Sequence, residues 1–314
     1  MDAPVKDKRV WAMLPIILFV YNRPYQTREV LRSLSACTYA DEALLYVFSD
    51  APKNERAVEA VQQVREIIAD PQWKACFHDV IITEAETNKG LAKSVITGVT
   101  QVINEHGCVA VVEDDNRVSV DFIDYMRRGL EFYKDDVSIG FIGAYKAPFD
   151  LPADYKHDVF LMGRGSSYSW ATWKDRWDLV DWEVSDYASF RKDRKARARF
   201  DAYGEDRSAM LDNQMAGRID SWAIRFSYAM FKHNRYAILP CKTRVENIGF
   251  DGSGVHNVAT DTRFLVKIDP DIQPVVFEKV SLDPRIKKSF VALFRAPLRL
   301  RIKRLASKWL RKGK

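Results

Sequence analysis

The stretch Val109–Asp121 reads VAVVEDDNRVSVD, and its two ends have opposite solvent preferences. Small or apolar residues run from Cys108 to Val112; Glu113, Asp114 and Asp115 follow without a break, and Asn116 closes the cluster. A short apolar run bounded by polar breakers predicts a strand buried on both faces, as in a parallel sheet. From Val118 to Leu130 the apolar spacing becomes helical. In open α/β sheets ligands sit just beyond the carboxyl ends of the strands, which is where these three acids fall. Adjacent carboxylates repel one another and attract a cation. A hard divalent ion with oxygen ligands suits them and keeps coordination positions open for a substrate diphosphate. A plainer use is a helix start, where Asp and Asn side chains accept hydrogen bonds from free backbone N–H groups. This stretch alone leaves both readings open.

Upstream, Leu14–Tyr21 (LPIILFVY) has the same buried-strand character and ends in Asn22-Arg23-Pro24. Pro24 suits the first turn of a helix, whose apolar face is Val30, Leu31 and Leu34. Leu44–Phe48, ending in Ser49-Asp50-Ala51-Pro52, and Val80–Thr83 are further strands; Ser138–Gly143 follows as a fifth. Helical spacing occupies Ala57–Ala69, the run opened by Asn88-Lys89-Gly90-Leu91 through Val102, and Phe122–Tyr133. Strands alternating with helices predict βαβ units, hence an α/β fold with a mostly parallel sheet flanked by helices. The turn after the first strand contains no glycine, so it is neither a dinucleotide fingerprint nor a P-loop.

The second half changes character. Gly163–Trp177 holds Trp170, Trp173 and Trp177 beside a polar, glycine-bearing segment. Such aromatics are either plain core or the stacking wall of a sugar site. Asp181–Gly204 is charged and reads as a surface excursion. Ser208–Gly217 and Ser221–Phe231 have helical spacing, with Asp220 placed as the N-cap of the second, and Tyr236–Leu239 is a short strand. Glu246–Asn257 contains three glycines and reads as a loop of the kind that closes over substrates.

A chain of 314 residues with 47% hydrophobic side chains can bury a sizeable core. Its net charge of +6 is unevenly spread, because Arg285–Lys314 carries 6 Arg, 6 Lys and no acid. Without that segment the chain is mildly acidic. Cys37, Cys76, Cys108 and Cys241 form no C-x-x-C pair, so neither zinc nor a disulfide framework is expected. The charged opening lacks a signal-peptide pattern, and Leu14–Tyr21 is too short to span a bilayer. The expectation is a reduced, cytoplasmic protein. After Pro297, residues Leu298, Ile302, Leu305 and Trp309 share one helical face, with Arg299, Arg301, Lys303, Arg304, Lys308, Arg311 and Lys312 elsewhere. A basic amphipathic helix with Trp on its apolar side suits an anionic bilayer surface. Several basic residues near such a surface suffice for binding, at about 1 kcal/mol each. A solvated tail or a nucleic-acid contact is the weaker alternative, and no nucleic-acid partner is expected.

Taken in order, LPIILFVYNRP, the strand ending in SDA, VAVVEDDNRVSVDFIDYM, Asp220–Arg225, Leu239-Pro240 and the glycine-rich loop ending at His256 resemble inverting glycosyltransferases of the GT-A fold. N-acetylglucosaminyltransferase I of N-glycan processing and bacterial family 2 sugar transferases are among these. The similarity covers roughly residues 14–257. It implies a GT-A domain over 1–265, with a nucleotide-sugar half (1–145) and an acceptor half (146–265), and an extension over 266–314 bearing the basic helix. It further implies that Asp115 ligates Mn2+ or Mg2+, with His256 reaching the metal or the diphosphate. Glu113 and Asp114 would hold the ribose, the donor sugar or the metal's waters. Asn22 and Arg23 would meet the base and phosphates, and Asp50 would accept a hydrogen bond from the base. The family's catalytic Asp falls at Asp220 or Ser221, depending on a one-residue shift. Asp220 is the chosen base, with Asp212 and Asp206 in reserve.

The expected function is metal-dependent, inverting transfer of a sugar from a nucleotide-diphosphate sugar, a UDP-sugar being favoured, to a glycan acceptor. The setting would be bacterial surface polysaccharide assembly on a lipid-linked acceptor, with the enzyme peripheral on the inner face of the plasma membrane. Two alternatives remain: a nucleotidyltransferase acting on a sugar phosphate, and a non-catalytic carbohydrate-binding protein.

Overall fold

The structure, a computed structural model, describes residues 13–249 and 264–295. Its first half runs β1 (Leu14–Val20), α1 (Pro24–Ser35), β2 (Ala43–Ser49), α2 (Val58–Ile68), β3 (Asp79–Glu84), α3 (Leu91–His106) and β4 (Cys108–Glu113). Then come β5 (Asn116–Val118), α4 (Phe122–Tyr133), β6 (Ile139–Gly143), β7 (Val159–Met162), β8 (Trp170–Trp173) and α5 (Lys174–Trp177). The remainder is α6 (Tyr187–Lys192), α7 (Arg194–Phe200), α8 (Arg207–Met215), α9 (Trp222–Lys232), β9 (Tyr236–Pro240), β10 (Val245–Asn247) and α10 (Pro284–Leu293).

Eight strands form one sheet in the order β3-β2-β1-β4-β8-β6-β9-β7. β8 and β7 run antiparallel to their neighbours, and the other six share one direction. The expected mostly parallel α/β sheet is therefore present. All seven residues of β1 are buried, because a strand with neighbours on both edges and helices on both faces has no solvent side. Val30, Leu31 and Leu34 bury one face of α1, which starts at Pro24 as expected. At Gly98 on α3 a Cβ would lie 2.8 Å from the Phe19 ring, so this helix packs unusually close to the sheet.

Register decides where the chemistry can gather. Phe19 lies opposite Glu113, and Val20 lies opposite Ser49. The turns at Asn22-Arg23, Asp50-Ala51 and Asp114-Asp115 consequently leave the sheet from one edge. A two-stranded ribbon, β5 against β10, stands at the same edge and pairs Asn116 with Asn247.

Several expectations need correction. Val118, read as the start of helical spacing, belongs to a strand, while the helix spans Phe122–Tyr133 as expected. Glu246 and Asn247, read as loop, are strand residues. The side chain of Ser221, not Asp220, caps α9, accepting from the Ile224 N–H at 3.4 Å. Trp170, Trp173 and Trp177 are only 1 to 3% exposed, so they form core and offer no open stacking wall. The charged excursion carries α6 and α7, anchored by Phe190 and Phe200 in a small second core with Leu211, Ile224 and Tyr228. The main core takes Val275, Phe277, Ile286 and Phe290 from the segment after the proposed domain end at 265. His256 and the basic face from Leu298 onward lie outside the described residues. Among the described residues, no helix is long and apolar enough to cross a membrane.

Candidate functional site

The acids stand where β4 ends, because Glu113 is the last residue that still pairs with β1. Asp114 and Asp115 are buried, 7% and 6% exposed, and Asn116 is fully enclosed. Burying a carboxylate without a partner is costly, and the partner here is Arg23. Its Nη1 donates to Asp115 Oδ2 at 2.7 Å and to Asp114 Oδ1 at 3.3 Å. Arg23 occupies the cap position before Pro24, and the Thr27 N–H donates to its carbonyl at 2.9 Å. The start of α1 thereby aims the guanidinium across the sheet edge.

Burial pushes the Glu113 and Asp114 carboxyls well above the usual range; for Glu113 the charges of Asp115 and Asp114 add to this, and Arg23 opposes it in both. Burial acts to lower the basicity of Arg23, but Asp114 and Asp115 outweigh it and hold the guanidinium above its ordinary value. The site is a buried carboxyl cluster that keeps a cation, Arg23.

The ribbon completes the enclosure. The Ile248 N–H donates to the Asp115 carbonyl at 2.7 Å, and Asn247 Nδ2 donates to Asn116 Oδ1 at 3.1 Å. A Cβ on Gly249 would fall 2.5 Å from Asp115 Oδ2 and 3.1 Å from Arg23 Nη1. Only a residue without a side chain fits against this carboxylate. Behind the ribbon, buried Arg244 donates to Asp121 at 3.3 Å and to the carbonyls of Lys242 and Gln273 at 2.6 and 2.7 Å.

Asp50 lies along the same edge with both oxygens engaged. It accepts from the N–H groups of Ala51, Lys89 and Gly90 at 2.9 Å each and from Asn88 Nδ2 at 3.1 Å. These bonds fasten the end of β2 to the start of α3. Asn22 follows β1 and is partly buried.

Asp220 precedes α9, whose first residue, Trp222, packs on Trp170 of β8, the strand beside β4. β9 runs parallel to β6, and α9 returns antiparallel to it through a short turn. The start of α9 therefore lies at the edge that carries the acids. Asp220 is exposed and meets Arg225 Nη2 at 3.1 Å. The reserve carboxylates are more heavily engaged. Arg164 holds Asp206 with two bonds of 2.6 and 2.9 Å. Asp212 accepts two of 2.8 Å from Arg197 and one of 2.9 Å from the Tyr187 hydroxyl.

Among the described residues, no three His, Cys, Asp or Glu side chains are grouped to hold a metal ion. The donor chemistry nonetheless fits one. Asp115 Oδ1 is buried without a hydrogen-bond partner, and Asp115 Oδ2 already holds a cationic nitrogen. A hexacoordinate Mg2+ or Mn2+ site commonly takes one or two carboxylates, with substrate phosphate and water supplying the rest.

Sequence reasoning missed Asn88, Asn247 and Gly249. The sequence marks Asn88 only as a helix opener and places the other two in a loop. Val245-Glu246-Asn247 shows no apolar-polar alternation, so nothing local marks this strand.

No family model matches the sequence, and no curated protein matches it. Similar solved structures include the mannosyltransferase PcManGT from Pyrobaculum calidifontis in complex with GDP-Man and Mn2+. It is 14% identical over 52% of this chain and 45% of that one, with a TM-score of 0.35. TarS 1–349 of S. aureus in complex with UDP is 15% identical over 74% of this chain and 59% of that one, with a TM-score of 0.43. TarS 1–349 in complex with UDP-GlcNAc is 14% identical over 74% and 57%, also at 0.43. The chain spans less than two thirds of the length of each.

Proposed function

We propose that the chain is a metal-dependent, inverting glycosyltransferase of the GT-A type that uses a nucleotide-diphosphate sugar. The observation that carries this reading is the Asp114–Asp115 pair. It is buried at the carboxyl edge of the sheet, is bridged by Arg23 and keeps Asp115 Oδ1 without a partner. A site of this kind is suited to a diphosphate and its cation rather than to a neutral ligand.

Asp115 would hold Mn2+ or Mg2+, and His256 is a second proposed ligand. The bound ion would supply Lewis-acid neutralisation of the diphosphate. Arg23, with Asn22 beside it, would bind the phosphates and base. Glu113 and Asp114 would orient the ribose and donor sugar by accepting from their hydroxyls. Asp50 would face the base while keeping the α3 turn in place. Asp220 would accept the proton of the acceptor hydroxyl. The acceptor oxygen then attacks C1 of the donor sugar from the face opposite the diphosphate, the C1–O bond breaks, and the electron pair leaves on the diphosphate. Attack from that face inverts the anomeric centre.

The acceptor would be a lipid-linked glycan of a surface polysaccharide, met at the inner leaflet through the basic face of residues 298–312. Incubation with a panel of UDP- and GDP-sugars and Mn2+ tests the reading. Release of nucleoside diphosphate is the expected product. Release of pyrophosphate would make the protein a nucleotidyltransferase, and no turnover with any donor would leave a carbohydrate-binding protein.

A further inference from the structure

Arg23 stands where the proposed metal has to act. A single nitrogen, Nη1, spans the two carboxylates, and the side chains of Arg23, Asp114 and Asp115 keep only 16%, 10% and 8% of their exposure. A buried carboxyl is costly without a partner, and Arg23 supplies one to each of the two acids. Among the described residues no other Lys or Arg pairs with Asp114 or Asp115. The second oxygen of Asp115 is nonetheless left buried and unpartnered, so the arginine satisfies one half of that carboxylate and not the other. Gly249 lies against Asp115 Oδ2 and Arg23 Nη1, on the side of the carboxylate that the arginine already holds.

We infer that Arg23 is a resident counter-cation of the acid cluster and that a divalent ion gains Asp115 in competition with it. This rests on the metal-dependent reading above and deepens it. Arg23 acts as a positioning residue: it holds Asp114 and Asp115 in place before a metal arrives. The planar guanidinium fits a phosphate as well as a carboxylate. The donor's diphosphate therefore offers it a new partner when the ion takes the carboxylates. Metal and diphosphate then bind better together than apart, and each raises the affinity of the other by the same factor.

The test compares the full chain with Arg23→Met and Arg23→Lys. Free Mn2+ is followed by electron paramagnetic resonance without nucleotide, and thermal melting is followed in EDTA and in Mn2+. Arg23→Met removes the competing charge and is expected to bind Mn2+ at least about tenfold tighter, since affinity follows the charge of the ligand set. Its metal-free form should melt below wild type, and Mn2+ should raise its melting temperature by more. Arg23→Lys keeps a charge on a shorter side chain, which loosens its hold on the two acids, so its Mn2+ affinity should fall between the two. If Arg23→Met does not fold, Arg23→Lys carries the comparison. Mn2+ affinity in the folded variants equal to that of a wild type that binds the ion overturns the inference alone. Absence of Mn2+ binding in every protein at millimolar concentrations overturns the metal reading and the inference with it.

Discussion

Trp170 and Trp222 stack with their ring centroids 4.9 Å apart and their planes at 27°. Trp170 pairs across the sheet with Val111, two residues before Glu113. Trp222 is the second residue after Asp220. The stack thus ties the strand that presents the acids to the helix that follows the proposed base. Trp222→Ala should cost about 3–5 kcal/mol, the usual range for emptying an aromatic core position, as read by chemical denaturation. It should lower turnover while leaving donor affinity near wild type, because β1 and β2 hold the acid cluster from the other side. Trp222→Phe should recover most of both losses. A variant that loses donor affinity before turnover would show that the stack does not set the spacing between base and acids.

Asp115→Ala should remove Mn2+-dependent donor binding, because a lost carboxylate ligand is not equalled by water. Isothermal titration with a nucleotide sugar, with and without Mn2+, provides the check. Full activity at ordinary Mn2+ would exclude Asp115 as a ligand.

Asp220→Asn should keep donor affinity and lose at least about a hundredfold in turnover, the scale of general-base assistance. Little loss here, together with a large loss in Asp206→Asn or Asp212→Asn, would move the base to one of those residues. Their existing ion pairs with Arg164 and Arg197 make that outcome the less expected one.

The packing of α10 separates two truncations. Ile286 and Phe290 are buried in the main core, so removing everything from Arg285 should destabilise the body by several kcal/mol, at about 2–5 per emptied large apolar position. Ending the chain after Arg295 should preserve melting temperature and turnover on a small soluble acceptor. The same deletion should abolish flotation with anionic liposomes at low salt, since it removes Arg299, Arg301, Lys303 and Arg304 with the rest of the basic face. Unchanged flotation would assign membrane contact to another surface.

The first four strands were legible in the sequence to within about a residue, because β1, β2 and β4 are central parallel strands written as largely unbroken apolar runs and the edge strand β3 keeps a short run of the same kind. The strand that carries the acids, and the acids' position at its end, followed from the same rule. The antiparallel strands β7 and β8 were not legible. They are four residues each, and the tryptophans of β8 face core on both sides, so no alternation marks them. The contact of Arg23 with Asp115 spans 92 positions, and no local pattern reports a pairing of that range. Asp50 was legible as a polar residue at a strand end, but two of its three backbone donors, Lys89 and Gly90, come from the turn before α3 and are set by tertiary packing.

The β5–β10 ribbon joins Arg117 to Glu246, 129 positions later in the chain. It therefore dates the site within the life of the molecule. During synthesis the acids leave the ribosome well before the segment that encloses them, and β4 also waits for Trp170 to complete its second edge. Pairings of such separation form late, because the intervening loop must be closed before the contact repays it. A nascent chain halted before β10 would carry Asp114 and Asp115 with Arg23 but without Gly249 beside them. The enclosure of Asp115 is thus among the last features to form as the chain folds.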